Sequence, residues 1–345
     1  MLHFICQMYK VTRMKRFILV IILILFGIYL YYDAVSNRPP VTESRLMMDT
    51  IITVKAYSPN ANEAIEACFN TFKEIENEVS YHIATSSLSN LNISKTGKKE
   101  SHLASIIDLC QKYEKITEGY FDPTFSSITE LYGFYGNVPS EIPDDETLNN
   151  VLENKIGLSK HLKTEADTYK LSGETKLDLG GAAGGYALRL SAQKMLETGC
   201  KSFLIDDSGD IYVIGKKPNG LPWKVAVKNP YDNSQIAVAN LISGQAVSTS
   251  GNYERFVSIK GKNYGHIMNP ETGKPAEDFS SVTVIAENPE EADIMSTTLF
   301  AMPKDKSIKK AEELKLAVLF VTSDKKIIMS SKGKETFQLM VNSLQ

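Results

Sequence analysis

KLDLGGAAGGYALRLSAQKMLETGC, residues 176–200, joins three pieces of different character. Lys176–Leu179 alternates like a strand, Gly180–Gly185 is a glycine-rich turn, and the rest is a helix of about four turns that Gly199 stops. Tyr186, Leu190, Gln193, Leu196 and Cys200 fall near one face of that helix. A turn without side chains lets a ligand approach bare backbone, and the first N–H groups and dipole of the helix behind it favour an anion. A phosphate or pyrophosphate site is therefore one reading of Gly180–Gly185. A tight strand-to-helix turn with close packing is the other.

Downstream, strand composition recurs at Ser202–Ile205, Ile211–Ile214, Lys224–Val227, Ile236–Leu241, Gln245–Ser248, Arg255–Ile259 and Val282–Ala286, with turn pairs such as Asn219-Gly220 and Lys260-Gly261 between. Glu290–Ala301 and Ser307–Leu314 read as helices, and Ala317–Thr322 with Lys326–Met329 as a closing hairpin. Upstream, Met48–Ala56 has strand composition. Asn62–Val79 is an amphipathic helix with Ile65, Cys68, Phe72, Ile75 and Val79 on one face. A polar loop, SYHIATSSLSNLN, follows, then a helix over Ser101–Thr117, a turn at Asp122-Pro123, and a polar, loop-rich region over Gly136–Thr175 with a helix at Asp144–Glu153. The mix is α+β, strand-rich in its C-terminal half, without strict βαβ alternation and without a solenoid repeat.

A chain of 345 residues with 43% hydrophobic and 23% charged residues can bury a sizeable core. A net charge of -3 gives no reason to expect nucleic acid. Cys6, Cys68, Cys110 and Cys200 form no CxxC pair, which argues against a zinc site, and Cys68 and Cys110 read as small core residues. Phe17–Tyr32 is an apolar run behind Lys10, Arg13, Lys15 and Arg16. That pattern belongs to a signal peptide or an uncleaved signal anchor, and the lack of a small-x-small site favours the anchor, with the body outside the cytoplasm. Met14 resembles a more natural start than Met1. The division expected is 1–35 anchor or signal peptide, 36–44 linker and 45–345 one folded domain.

Three clusters after Gly180 could carry chemistry. Thr249–Arg255, TSGNYER, places hydroxyls and a glycine at a strand end, where they can hold phosphate or form a turn. His266–Gly273, HIMNPETG, sets a histidine before an Asn-Pro turn, as a base, a ligand or a local hydrogen-bond partner. Ala292–Thr297, ADIMST, puts Asp293 and Thr297 four apart on one helix face, a partial Mg²⁺ shell or an ordinary helix surface.

In this order the clusters resemble the ApbE family, the FAD:protein FMN transferases. The matching stretches are LDLGGAAGGYALR, TSGNYER, HIMNPETG and ADIMST. Weaker matches are MDT at Met48, SSLSNLN at Ser86 and GYFDPTFSSITELYGF at Gly119. The resemblance implies an ApbE-like mixed α/β fold and Mg²⁺-dependent transfer of FMN from FAD to a Thr or Ser hydroxyl of an acceptor flavoprotein with a D-x-x-[ST]-G-A-[ST]-like motif, releasing AMP. By that resemblance Asp293, Thr297 and the Ala183 carbonyl hold Mg²⁺. Gly180, Gly181, Ala182, Gly184 and Gly185 lie along the FAD pyrophosphate, and Met48, Tyr81, Thr249, Ser250 and Gly251 touch the dinucleotide. His266 deprotonates the acceptor hydroxyl with Asn269 beside it. Four positions depart from the family pattern: Gly184 stands for Lys, Arg189 for Asp, Asn269 for Asp and Asp49 for Gly. These departures keep open a relative that binds or hydrolyses FAD without an acceptor. A non-catalytic scaffold and a dinucleotide oxidoreductase are the remaining alternatives.

Overall fold

The computed structural model describes residues 16–30, 33, 36 and 38–340, apart from 100, 233, 253 and 254. In chain order the elements are α1 (residues 16–30), β1 (Val41–Met47), β2 (Thr50–Ala56), α2 (Ala61–Val79), α3 (Ser87–Ser94), β3 (Thr96–Lys98), α4 (Ser101–Ile116), α5 (Ser126–Leu131), α6 (Asp145–Lys155) and α7 (Leu158–His161). The short strands β4 (Leu162–Glu165) and β5 (Thr168–Leu171) lead to the central helix α8 (Gly180–Glu197). Then come β6 (Phe203–Asp207), β7 (Asp210–Ile214), β8 (Trp223–Lys228), β9 (Gln235–Leu241), β10 (Ala246–Gly251), β11 (Phe256–Ile259), β12 (Lys262–Gly265) and β13 (Phe279–Ala286). The chain closes with α9 (Pro289–Ala301), α10 (Lys304–Glu313), β14 (Ala317–Thr322), β15 (Ile327–Met329), α11 (Ser331–Thr336) and β16 (Gln338–Leu339).

An eight-stranded antiparallel sheet, ordered β1-β2-β6-β7-β10-β13-β14-β15, forms the middle layer. Strand alternation sends successive side chains to opposite faces. In β14, Val318 and Phe320 point to the layer of α2, α8 and α9, whereas Ala317, Leu319 and Val321 point to a small sheet ordered β16-β9-β8. All of these are buried, so β14 is covered on both faces and reads as an unbroken apolar run.

The structure corrects several expectations. Lys176–Leu179 is no strand: the Asn92 side chain bonds the Leu177 N–H and C=O, each at 2.8 Å, in the place of a neighbouring strand. The glycine run is not a turn but the first turn and a half of α8, which begins at Gly180. The buried residues of α8 are Ala182, Ala183, Gly185, Tyr186, Ala187, Leu188, Ser191, Ala192 and Met195, mostly small, while Leu196 is 43% exposed. Small residues face inward because α8 runs between α2 and α9. A Cβ on Gly185 would stand 2.7 Å from Glu290 Cα and 2.7 Å from Pro289 O, so glycine sets the approach of α9.

The folded body begins at Val41, inside the expected linker, because β1 pairs with β2 along its whole length. The expected polar loop after α2 contains α3, capped by Ser86, whose side chain accepts from Ser89 N. The loop-rich region holds the β4–β5 pair. Met48 and Asp49 turn β1 into β2 with φ of 50° and 62°. That is left-handed geometry, where glycine is favoured and Asp is tolerated. Cys68, Cys110 and Cys200 are buried free thiols. Among the described residues no helix is long and apolar enough to cross a membrane. α1 is apolar and exposed over its described residues 16–30. Residues 31, 32, 34 and 35 and the alternative starts at Met1 and Met14 lie outside the described residues.

Candidate active site

The start of α8, the ends of β10 and β7, α9 and the loop carrying His266 converge on one cavity of about 410 Å³. One wall is aromatic. Phe121 meets Gly181, where an added Cβ would sit 3.2 Å from its ring. Tyr135 packs at a tilt against Tyr81 with centroids 4.6 Å apart, and Phe134 lies edge-on to His266. The opposite wall is a run of hydroxyls. Ser248 and Ser250 bond Ser296 at 3.0 and 2.9 Å, and Ser250 also bonds Thr297 at 3.0 Å. Thr249 also lines the cavity, and its hydroxyl pairs across the strands with that of Thr283 at 2.9 Å.

The floor is acidic. Asp293 is buried on α9, and its Oδ2 accepts the Gly185 N–H at 2.8 Å. Burial, then Asp210, and further Asp207 and Glu290, push its pKa well above the usual carboxylate range, against the pull of that N–H. Asp207 is raised to about 7, first by burial and then by Asp210 and Asp206. Gly184 lies between these carboxylates: its Cβ position is 3.3 Å from Asp293 Oδ2 and 3.5 Å from Asp207 Oδ2. Glu290, one turn before Asp293, is engaged by Arg189, so the Arg189 departure serves as the clamp of a buried acid. Asp178 accepts from Gly180 N at 2.8 Å and from the Tyr135 hydroxyl. Burial, then Asp178, push the Tyr135 phenol upward. Asp122 is also in the lining, but it caps Thr124 and accepts from Leu158 N.

His266 stands on the far side. Its Nδ1 lies 3.1 Å from the Arg255 carbonyl oxygen and donates to it, which leaves Nε2 as the acceptor nitrogen. Burial is the largest influence on the ring and lowers its pKa below 6.5. A neutral imidazole with a free Nε2 is a competent general base at neutral pH. Arg255 is the one lysine or arginine in the lining among the described residues. Its guanidinium stands 5.8 Å over both the Phe134 and Tyr135 rings, with Nη2 on the Phe134 carbonyl at 3.2 Å.

Of the expected site residues, Gly180, Gly181, Thr249, Ser250, Gly251, His266, Asp293 and Thr297 line the cavity. Ala182, Ala183, Gly184 and Gly185 lie behind that wall, Gly185 through its N–H to Asp293. Met48 packs against the main core and gives its N–H to Glu76, and Tyr81 reaches the cavity through Tyr135. Asn269 is outside the lining: its Oδ1 accepts Glu271 N at 2.8 Å and its backbone closes the turn before Gly273. An aspartate would do the same work there, so that departure costs the site nothing visible. Tyr253 and Glu254 of the TSGNYER stretch lie outside the described residues. Asp178, Ser296 and Asp210 were not singled out from the sequence as site residues, and Asp207 was only, with Asp206, as the ribose-binding acid of the dinucleotide oxidoreductase alternative. Asp178 stood inside the LDLGG stretch and Ser296 inside ADIMST, where their spacing to Gly180 and Asp293 was the available signal.

Among the described residues no three His, Cys, Asp or Glu side chains are arranged as a metal site. The set expected here is of another kind: one carboxylate, one hydroxyl and one backbone carbonyl, the hard oxygen donors that suit Mg²⁺ when substrate and water complete the shell. A buried Asp293 surrounded by acids, with a single backbone N–H on Oδ2, fits such a cation.

Residues 48–320 match the model of the ApbE family. An FAD:protein FMN transferase of Haemophilus influenzae is 26% identical over 296 residues, covering 81% of this chain and 84% of the relative. One from Escherichia coli K12 is 30% identical over 230 residues, 64% of this chain and 65% of the relative. The crystal structure of the ApbE protein of Thermotoga maritima superposes with a TM-score of 0.80 at 29% identity, covering 86% of this chain and 99% of that one. With the match spanning the sheet from β2 into β14, α8, α9 and every residue lining the cavity, the chain belongs to the ApbE family.

Proposed function

We propose that this chain transfers FMN from FAD to a hydroxyl of an acceptor protein and releases AMP. The observation that carries the reading is the pairing, across one cavity, of a buried Asp293 of α9, bonded to the Gly185 N–H of α8, with a neutral His266 whose Nε2 has no partner among the described residues. Asp293, Thr297 and the Ala183 carbonyl would hold Mg²⁺. When bound, the ion supplies neutralisation of the charge on the diphosphate, which an acidic cavity with one arginine otherwise repels.

The chain's own residues do the rest. In the first turn of α8 the Gly180 N–H is taken by Asp178 and those of Ala182 and Ala183 by the Leu179 carbonyl, so the Gly181 N–H is the one left for the diphosphate, and the lack of side chains at Gly180 and Gly181 admits it against the backbone. The aromatic wall of Phe121, Phe134 and Tyr135 offers apolar surface to the flavin or adenine rings. His266 Nε2 takes the proton of the acceptor hydroxyl as its oxygen bonds the FMN-side phosphorus. The phosphorus–oxygen bond to the AMP side then breaks, and AMP leaves with the electron pair. Arg255, beside both His266 and the rings, steadies the anion on that side.

The acceptor is a protein with a D-x-x-[ST]-G-A-[ST]-like segment, and the body works outside the cytoplasm, tethered through the apolar stretch at residues 17–32. Those finer points are supported by the motif resemblance and by the basic flank before the apolar run. The test is to incubate the full chain with FAD and Mg²⁺, with and without an acceptor domain bearing D-x-x-T-G-A-T, and to follow AMP. Release only in the presence of acceptor supports transfer. Equal release of AMP and free FMN without acceptor would make the protein an FAD hydrolase.

A further inference from the structure

Ser296 lies behind the hydroxyl wall of the active cavity and has no part in the chemistry described above. It is fully buried on α9, one residue before Thr297, and does not line the cavity. Its hydroxyl is nonetheless the hub of a network. It lies 2.9 Å from the Asp293 carbonyl oxygen, 3.0 Å from the Ser248 hydroxyl and 2.9 Å from the Ser250 hydroxyl. Ser250 in turn lies 3.0 Å from the Thr297 hydroxyl, at the cavity surface.

Counting protons gives this network a direction. Each hydroxyl has one proton to donate and two lone pairs to accept with. A carbonyl oxygen only accepts, so Ser296 donates to Asp293, the bond a helical serine often makes to the preceding turn. With its one proton committed, Ser296 can only accept from Ser248 and from Ser250. Ser250 has then given its own proton to Ser296, and the proton between Ser250 and Thr297 must come from Thr297. The reverse direction, Ser250 donating to Thr297, would leave Ser250 and Ser296 facing each other at 2.9 Å with no proton between them. Thr297 therefore gives to Ser250, Ser250 to Ser296, and Ser296 to the Asp293 carbonyl. The Thr297 proton is held against β10, and its lone pairs stay free on the cavity side. A hydroxyl that ligates a cation does so through a lone pair and needs its proton held elsewhere.

We propose that Ser296, acting through Ser250, is a positioning residue for the cation: the one-way run of hydroxyls orients Thr297 as a ligand before the metal arrives. The inference rests on the Mg²⁺ site of the transferase reading. Ser248 is the natural control. It is also buried and bonds the same Ser296 oxygen, but it only donates into the network, so its loss leaves every other bond pointing the same way. Loss of Ser296 instead frees the Ser250 proton to turn to Thr297, whose own proton is then displaced into the cavity.

The test is calorimetric titration of Mg²⁺ into the metal-free full chain, alone and saturated with FAD, for wild type, Ser296→Ala and Ser248→Ala. Melting temperatures in metal-free buffer report that the fold is intact. The expected result is a dissociation constant for Mg²⁺ raised about tenfold or more in Ser296→Ala, the scale of losing a group that orients a metal ligand, and unchanged in Ser248→Ala. Wild-type Mg²⁺ affinity in Ser296→Ala overturns the orientation, as does an equal loss in both variants. Should Ser296→Ala melt below the temperature of the titration, Ser250→Ala without FAD reads the same link, because it removes the acceptor of the Thr297 proton; a tenfold loss there supports the orientation and an unchanged affinity overturns it. A wild type that takes up no Mg²⁺ in either state fails the metal site itself, a distinct outcome visible before any variant is compared.

Discussion

Gly184 and Gly185 are neighbours in one helix, yet a methyl group should act on them in opposite ways. At Gly185 the new Cβ meets backbone: Glu290 Cα at 2.7 Å, Pro289 O at 2.7 Å and Glu290 N at 2.9 Å. None of these atoms can rotate aside, so α8 and the first turn of α9 must part by about half an ångström. Overpacking of this kind costs roughly 1–3 kcal/mol, and the better helix propensity of alanine returns about 1 kcal/mol at most. A net loss of about 1 kcal/mol lowers the melting temperature by about 2 °C in a domain of this size. The same movement draws the Gly185 N–H from Asp293 Oδ2, now 2.8 Å away, and a displaced catalytic group costs about 10–100-fold in rate. At Gly184 the methyl meets only carboxylate oxygens, at 3.3 and 3.5 Å, which can turn away. Gly184→Ala should melt at or slightly above the wild-type temperature. The assay is thermal melting followed by AMP release for both variants. Wild-type stability and rate in Gly185→Ala would refute the close α8–α9 contact, and equal damage from Gly184→Ala would refute the distinction between them.

Other expectations follow from the same geometry. Gly184→Lys should fold and melt higher than wild type in metal-free buffer, because its ammonium would lie among Asp207 and Asp293; a lower melting temperature would count against that placement. Asp207→Asn should stabilise the metal-free protein. The folded pKa is about 7 against an ordinary 3.8, so the ionised group weakens the fold as pH rises through that window. Three pH units at about 1.4 kcal/mol each give an upper bound of ~4 kcal/mol. The advantage of the variant in melting temperature should grow from pH 4 to pH 7 and level off above, and a pH-independent difference would contradict it. His266 is lowered, so its neutral, proton-accepting form persists below the ordinary 6.5. The acid limb of the pH–rate profile should lie below that value and disappear with a large rate loss in His266→Ala; a limb above it would argue for another base. Asp293→Asn should lose Mg²⁺ binding in calorimetry while keeping the fold.

The sequence made the layout of the site readable where periodicity and motif order were strong. Asp293 and Thr297, four apart on a helix, do share one cavity with Thr249, Ser250 and His266. Most of the strands after α8 stand within a few residues of their expected positions. The glycine run was misread because glycine is the usual signal of a turn, whereas here two of the glycines admit Phe121 and the start of α9 against a continuous helix. The helix face was misread for the same reason. Burial on α8 follows the close approach of α2 and α9, so alanine, serine and glycine lie inside and Leu196 outside. Leu177 failed to join a sheet because Asn92, distant in sequence, took both its backbone bonds. The acidic neighbours Asp207 and Asp210 were visible as a turn between strands, Asp207 also as a ribose-binding acid in the oxidoreductase alternative, and neither as a neighbour of Asp293. What brings them to Asp293 is the β6–β7 pairing and the position of β7 beside β10, which no local pattern contains. Asn269 went the other way: the family resemblance placed it beside the catalytic His266, and its hydrogen bonds assign it to a turn.

The central claim is that FMN moves from FAD onto an acceptor hydroxyl under the joint control of Asp293 and His266. Intact-mass spectrometry of the acceptor domain, after incubation with FAD and the full chain, tests it most directly. The account predicts that wild type with Mg²⁺ adds one FMN to the acceptor's Thr, and that chelation or Asp293→Ala abolishes the gain. An acceptor that stays unmodified while wild type binds FAD, or one that is fully modified by Asp293→Ala, would contradict it.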